Sequence, residues 1–134
     1  MKNKEHLETD YILALLKPNS RKIFNEIILA KKNKMWATMI VFSITILDNV
    51  LLDDDYINLI DVFEKNKIKL SKDIMWLRTK RNAILHYNDL YEKELPFIIN
   101  DEDLKQYSER AYYILVKNLL KLFPKKHTLI KNKV

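Results

Sequence analysis

The chain contains no glycine and no cysteine. Without thiols there are no disulfides, no thiolate metal sites and no cysteine nucleophile, and a reducing cytoplasm is the expected compartment. Without glycine, tight primed hairpin turns lose the residue that most cheaply accepts positive φ, which argues against a β-rich fold. Glycine-rich phosphate loops of the Walker and Rossmann kinds are excluded outright. Residues 1–10 are charged and lack an apolar h-region, so no secretory leader is expected. One uncharged stretch, Met35 to Leu47, is 13 residues long. A membrane-spanning helix needs about 20, so a buried core helix is the expected reading.

What is present describes a small folded domain. The 134 residues are 48% hydrophobic, enough for one packed core. The net charge of +6 is unevenly spread: six lysines and no acid lie between Lys117 and Val134, so the other 116 residues carry 18 cations and 18 anions. Within that balanced part, Lys65 to Arg81 holds seven basic residues against Asp73. A basic belt and a basic tail both attract a polyanion such as RNA, although a lysine surface is also compatible with simple solvation.

Periodicity and breakers predict an all-α, up-and-down bundle of about five helices across residues 1–124, followed by a basic tail at 125–134. The first helix runs from about Glu5 to Lys17 and stops before Pro18. Asn19 and Ser20 offer N-caps for a second. Lys31 to Lys34 either interrupt that helix or form its polar face. The third covers Met35 to Leu52. Asp53, Asp54 and Asp55 form a turn that caps a short helix over Tyr56 to Lys65, with metal binding as the alternative. Ser71 caps a further helix that runs to Tyr87 or Asn88. A loop with Pro96 and a short extended piece at Phe97 to Ile99 leads to a long last helix, capped by Asn100 and ended by Pro124. Its apolar stripe is Leu104, Tyr107, Ala111, Leu115, Asn118 and Leu122, widened by Ile114 and Leu119.

The helix after Ser71 carries an anomaly. With Ile74 at zero and ~100° per residue, Leu77 falls at ~300°, Ile84 at ~280° and Leu85 at ~20°, which defines a core-facing stripe. Arg81 falls at ~340°, inside it. A guanidinium keeps its charge, so something must meet it: an acid such as Asp48 or Asp103, a partner subunit, or an anionic ligand. Arg78, Asn82 and His86 share a neighbouring face. An acid–base group, an amide and two guanidinium groups are thereby concentrated in one region; the ordinary alternative is an Arg81 paired with a buried acid and a His86 that is a satisfied core or C-terminal-turn histidine. His6 and His127 lie near the termini without such neighbours.

The segment WLRTKRNAILHY resembles the signature of the HEPN superfamily, the higher eukaryotes and prokaryotes nucleotide-binding domains. That signature is an arginine, often followed by asparagine, with a histidine about four to six residues on; Arg81, Asn82 and His86 fit its RN-x3-H form. The resemblance implies a small helical domain, paired as a homodimer with the motifs of two copies in one cleft, and a metal-independent endoribonuclease of the toxin–antitoxin or phage-defence type. It implies Arg81, Asn82 and His86 as catalytic residues, with no cofactor and no metal. Arg78, Lys80 and Lys72 are the expected RNA contacts. A subset paired with nucleotidyltransferase antitoxins carries a tyrosine two residues after the histidine. Asn88 stands there in this chain, and the adjacent Tyr87 is a displaced regulatory candidate or a packing residue. A non-catalytic nucleotide- or protein-binding module, and a purely structural helical dimer, are the competing readings.

Overall fold

The computed structural model describes residues 4–85 and 101–124. Every regular element among them is helical: α1 (Lys4–Leu15), α2 (Pro18–Lys32), α3 (Trp36–Leu52), a 3-10 turn (Asp54–Tyr56), α4 (Val62–Lys69), α5 (Lys72–Leu85) and α6 (Asp101–Leu122). The six α-helices among the described residues correspond to the five longer segments and the one short helix read from the sequence. The short helix placed over Tyr56 to Lys65 is in fact a 3-10 turn followed by α4. Asp61 sets the new start, since its carboxylate accepts the Glu64 amide at 3.1 Å. His86, Tyr87, Asn88, the loop with Pro96, the piece at Phe97 to Ile99, the Asn100 cap and the tail at 125–134 lie outside the described residues.

The predicted core helix is α3, which packs against α2, α5 and α6. It buries Met39, Ile40, Ile44, Ile46, Leu47, Val50 and Leu51. Each fully buried aliphatic side chain of this kind contributes roughly 1.5–3 kcal/mol. Among the described residues, no helix is long and apolar enough to cross a membrane. The expected stripe of α6 is buried at Ala111, Ile114, Leu115, Asn118, Leu119 and Leu122, while its first two members, Leu104 and Tyr107, are half-buried against the core. Three acids stand in its first turn and Lys121 in its last, matching the helix dipole at both ends.

Two boundaries differ from expectation. Neither Asn19 nor Ser20 caps α2; the cap is Lys17, and Pro18 takes the first helical position, where a missing N–H costs nothing. Ser20 is buried instead and accepts from Asn49 at 3.4 Å. At the other end, Lys31 and Lys32 belong to α2, and Lys34 adopts φ 58°. Met35 N donates to Ala30 O at 2.8 Å and Lys34 N to Lys31 O at 3.3 Å. That is the Schellman pattern, in which the left-handed position is ordinarily glycine. A chain without glycine places lysine there at a steric cost of about 1–2 kcal/mol.

The ends of the bundle are laced together. Tyr11 donates to the carbonyls of Phe123 (3.1 Å) and Pro124 (2.6 Å), tying α1 to the end of α6. The Asp61 amide donates to Leu122 O at 2.8 Å, tying the start of α4 to the same place. The aspartate cluster does form the expected turn, with Asp53 accepting the Asp55 amide at 2.9 Å. Asp53 and Asp55 also grip Lys17 Nζ at 2.8 and 2.6 Å.

The hydrogen bond from Lys17, then that from the Asp55 amide, holds Asp53 below its ordinary value of 3.8 against the opposing effect of burial. The bonds to Asp53 and Asp55 raise Lys17 above its ordinary 10.5. A depressed acid contributes stability that is present above its unfolded value and lost as pH falls through the folded one. A raised base contributes stability present below 10.5 and lost above it. The contribution is therefore a plateau between the two. The melting temperature of Asp53→Asn should lie below wild type at pH 6, and the gap should close as pH falls below about 4. A gap independent of pH would reject the ion pair as its source.

Candidate functional site

The arginine anomaly resolves into a three-residue cluster between α3 and α5. Asp48 sits in the last turns of α3, a helix with no basic residue in its last turn, so its carboxylate faces the unfavourable end of the dipole. Two guanidinium groups from α5 offset this. Arg78 Nη2 donates to Asp48 Oδ1 at 2.6 Å, and Arg81 Nη1 donates to Oδ2 at 3.3 Å. Of the two acids considered as partners for Arg81, Asp48 is the one that meets it. The Arg81 guanidinium also donates from Nε and Nη2 to Asn82 Oδ1, at 3.3 and 3.2 Å.

The expectation for Arg81 needs correction in one respect. Leu85 is 56% exposed, while Ala83 is buried with Ile74 and Leu77. Trp76 and Ile84 are half-buried against the core. The buried arc of α5 thus turns away from Leu85, and Arg81 lies at its margin, with 26% of its side chain exposed. Asp48 meets its charge from within the chain, at 3.3 Å.

The compensation is unequal. Charge-assisted N–H···O contacts are strongest at about 2.7–2.9 Å. Arg78 holds the carboxylate firmly, and all three contacts of Arg81 are longer than that range. One carboxylate also serves two permanent cations, so the cluster carries one positive charge in excess. Because Asn82 Oδ1 is engaged by Arg81, its Nδ2 is left as a donor. Through this oxygen Asn82 helps to orient the Arg81 guanidinium.

The other predicted contacts separate. Lys72 is exposed at the start of α5, about 13 Å along the helix from Arg81. Lys80 turns to the opposite side and packs on α6, its Nζ 4.3 Å from the Tyr107 ring centroid and 5.9 Å from that of Trp76. Burial, then the nearby Arg110, lowers the Lys80 pKa from its ordinary 10.5. His86 and Tyr87 lie outside the described residues. Among the described residues, no group of acids and histidines is placed to hold a metal ion.

Sequence reasoning missed a second cluster. Arg110 Cζ stacks 4.1 Å from the Trp76 centroid, and Tyr107 meets the same ring edge-on at 5.9 Å. The spacings Trp76–Lys80 and Tyr107–Arg110, one helical turn each, were the available signal. A cavity of about 470 Å³ lined by Lys17, Pro18, Asn19, Ser20, Asn49 and Asp53 was also unforeseen. Its two charged side chains pair with each other, so it offers an anion no net attraction.

Comparison of the chain with protein-family models, with curated proteins and with solved structures finds no match.

The unequal sharing of Asp48 has a measurable consequence. In urea denaturation, Arg78→Ala should cost about 1–2 kcal/mol, the range for a lost hydrogen bond to a charged group at a partly exposed site, and Arg81→Ala less than half as much. Equal costs, or the reverse order, would contradict the geometry.

Proposed function

We propose that the Arg78–Arg81–Asn82 end of α5 binds an RNA phosphate and, together with His86, cleaves the RNA chain without a metal ion. The observation that carries this reading is the loosely held Arg81 guanidinium beside a carboxylate already satisfied by Arg78. An incoming phosphate can accept from Arg81 and from Asn82 Nδ2 while Arg78 keeps Asp48 neutralised. The RN-x3-H spacing puts His86 four residues after Asn82 in the sequence.

RNA carries its own nucleophile. The 2′-hydroxyl oxygen attacks the adjacent phosphorus in line, and the bond from phosphorus to the 5′-oxygen breaks. His86 serves as base toward the 2′-hydroxyl proton or as acid toward the departing 5′-oxygen, both accessible to a group whose ordinary pKa is about 6.5. Arg81 stabilises the charge that builds on the phosphorane oxygens. The products are a 2′,3′-cyclic phosphate and a 5′-hydroxyl. The reading includes a homodimer in which two copies of α5 face each other: Met75 (62% exposed) and Leu85 (56%) flank Asn82 as apolar contacts for that face. It also places the chain among HEPN-type toxins or phage-defence nucleases held in check by a cognate antitoxin.

A second reading is favoured by a specific observation. Because Asp48 compensates Arg81 inside the chain, the cluster needs no chemistry to justify it. The protein would then be a non-catalytic module that binds a nucleotide or a protein partner through the same surface.

The two separate in one assay. Purified wild type, incubated with single-stranded RNA in EDTA, should yield fragments ending in 2′,3′-cyclic phosphate. His86→Ala and Arg81→Ala should each lower the rate by about a hundredfold or more. Absence of cleavage with retained, Arg81-dependent nucleotide binding would establish the second reading in place of the first.

A further inference from the structure

We propose that the exposed face of α6 beyond Arg110, braced by Trp76 and Asp73 of α5, is a binding track for single-stranded RNA. The proposal rests on the RNA reading above and adds where the substrate lies outside the phosphate site.

The acids of α6 stop at Glu109. From Arg110 to Leu122 the helix carries Arg110, Lys117 and Lys121 and no acid. At ~100° per residue these three fall within about 40° of one another, over a length of about 16 Å. Tyr113 stands on the same face, 63% exposed, with Lys117 Nζ 5.5 Å from its ring centroid. A bare aromatic ring beside a cation is poorly explained by packing, because it leaves apolar area in water. It does suit a nucleobase, which every strand presents as a flat face.

The cations are also held in place. Arg110 lies against Trp76 at 4.1 Å, and Asp73 reaches Arg110 at 3.9 Å and Lys117 at 3.2 Å. Asp73 thus holds Lys117 and approaches Arg110, which leaves Arg110, Lys117 and Lys121 with one facing carboxylate on the α5 side, while Glu8 and Glu109 line the hollow on the other side of the Tyr113 ring. Pre-positioned cations lose less side-chain freedom on meeting a phosphate backbone. The aromatic component selects single strands over duplexes, whose bases are stacked on one another. It also distinguishes this face from one built for an acidic protein, which would need charge without a free ring.

The test uses the full chain and a fluorescein-labelled 12-nucleotide RNA bearing 2′-O-methyl groups, which lacks the nucleophile and stays intact. Anisotropy should show Tyr113→Ala binding the single strand about tenfold more weakly, with Tyr113→Phe close to wild type. The same RNA annealed to its complement should show no dependence on Tyr113. A Lys117→Gln, Lys121→Gln double variant should reduce the steepness of the salt dependence by about 1.4, at about 0.7 for each of two phosphate contacts. Unchanged single-strand affinity in Tyr113→Ala overturns the proposal. So does an equal loss for single strand, duplex and a polyglutamate peptide, which would mark a general acidic partner. Because the probe resists cleavage, the two proposals fail separately. Tyr113-dependent binding without cleavage of ordinary RNA removes the nuclease and keeps the track; Arg81-dependent cleavage with Tyr113-independent binding does the opposite.

Discussion

Asp48 of α3 meets two arginines of α5, and the character of the α3–α5 interface follows from that encounter. Its helix is the buried one, so the carboxylate has few places to find a partner except the facing side of α5. One partner would have neutralised it. With two, the interface between α3 and α5 is electrostatically closed on the Arg78 side and left with an excess cation on the Arg81 side. The pairing keeps Arg81 at the margin of the core without tying it to a single tight contact. Neither a wholly buried ion pair nor a solvated surface arginine would give that combination of fixed place and incomplete satisfaction.

A similar device recurs at two other places in the fold. Lys17 is held by Asp53 and Asp55 where α1 gives way to α2, and Asp73 holds Arg110 and Lys117 between α5 and α6. In a chain without glycine, helix ends and joins depend on side-chain caps, proline and long polar side chains, because left-handed turns carry a steric cost. Lys34 shows that cost being accepted at one turn where the Schellman bonds require it.

Most of the helical order was legible from periodicity. Met35 to Leu52 and Leu104 to Leu122 announced themselves through apolar spacing, and Ser71 caps its helix as expected, accepting from the Ile74 amide at 3.2 Å. The misreadings were local. Asp61 outcompeted Asp53–Asp55 as the start of α4, and Pro18 outcompeted Asn19 and Ser20 as the start of α2; each is a choice between adjacent cappers that periodicity does not rank. The site was half legible. Helical geometry singled out Arg81 and offered Asp48 as one of two acids to meet it, because a charge in an apolar stripe demands a partner. It did not show that Arg78 would claim the stronger bond or that Asn82 would turn its oxygen to Arg81. Those outcomes depend on how α3 and α5 are rotated against each other, and so on packing across positions far apart in sequence. The Trp76–Arg110 stack was hidden for the same reason.

On the proposed reading Arg81, and not Arg78, is the guanidinium open to a phosphate. Nitrogen-15 NMR of the arginine Nε–Hε groups, followed while a 2′-O-methyl RNA trinucleotide is added, tests it directly. A saturable shift of the Arg81 resonance is expected, with the Arg78 resonance nearly still. Binding of the trinucleotide that leaves Arg81 unmoved, or moves Arg78 more, would contradict it.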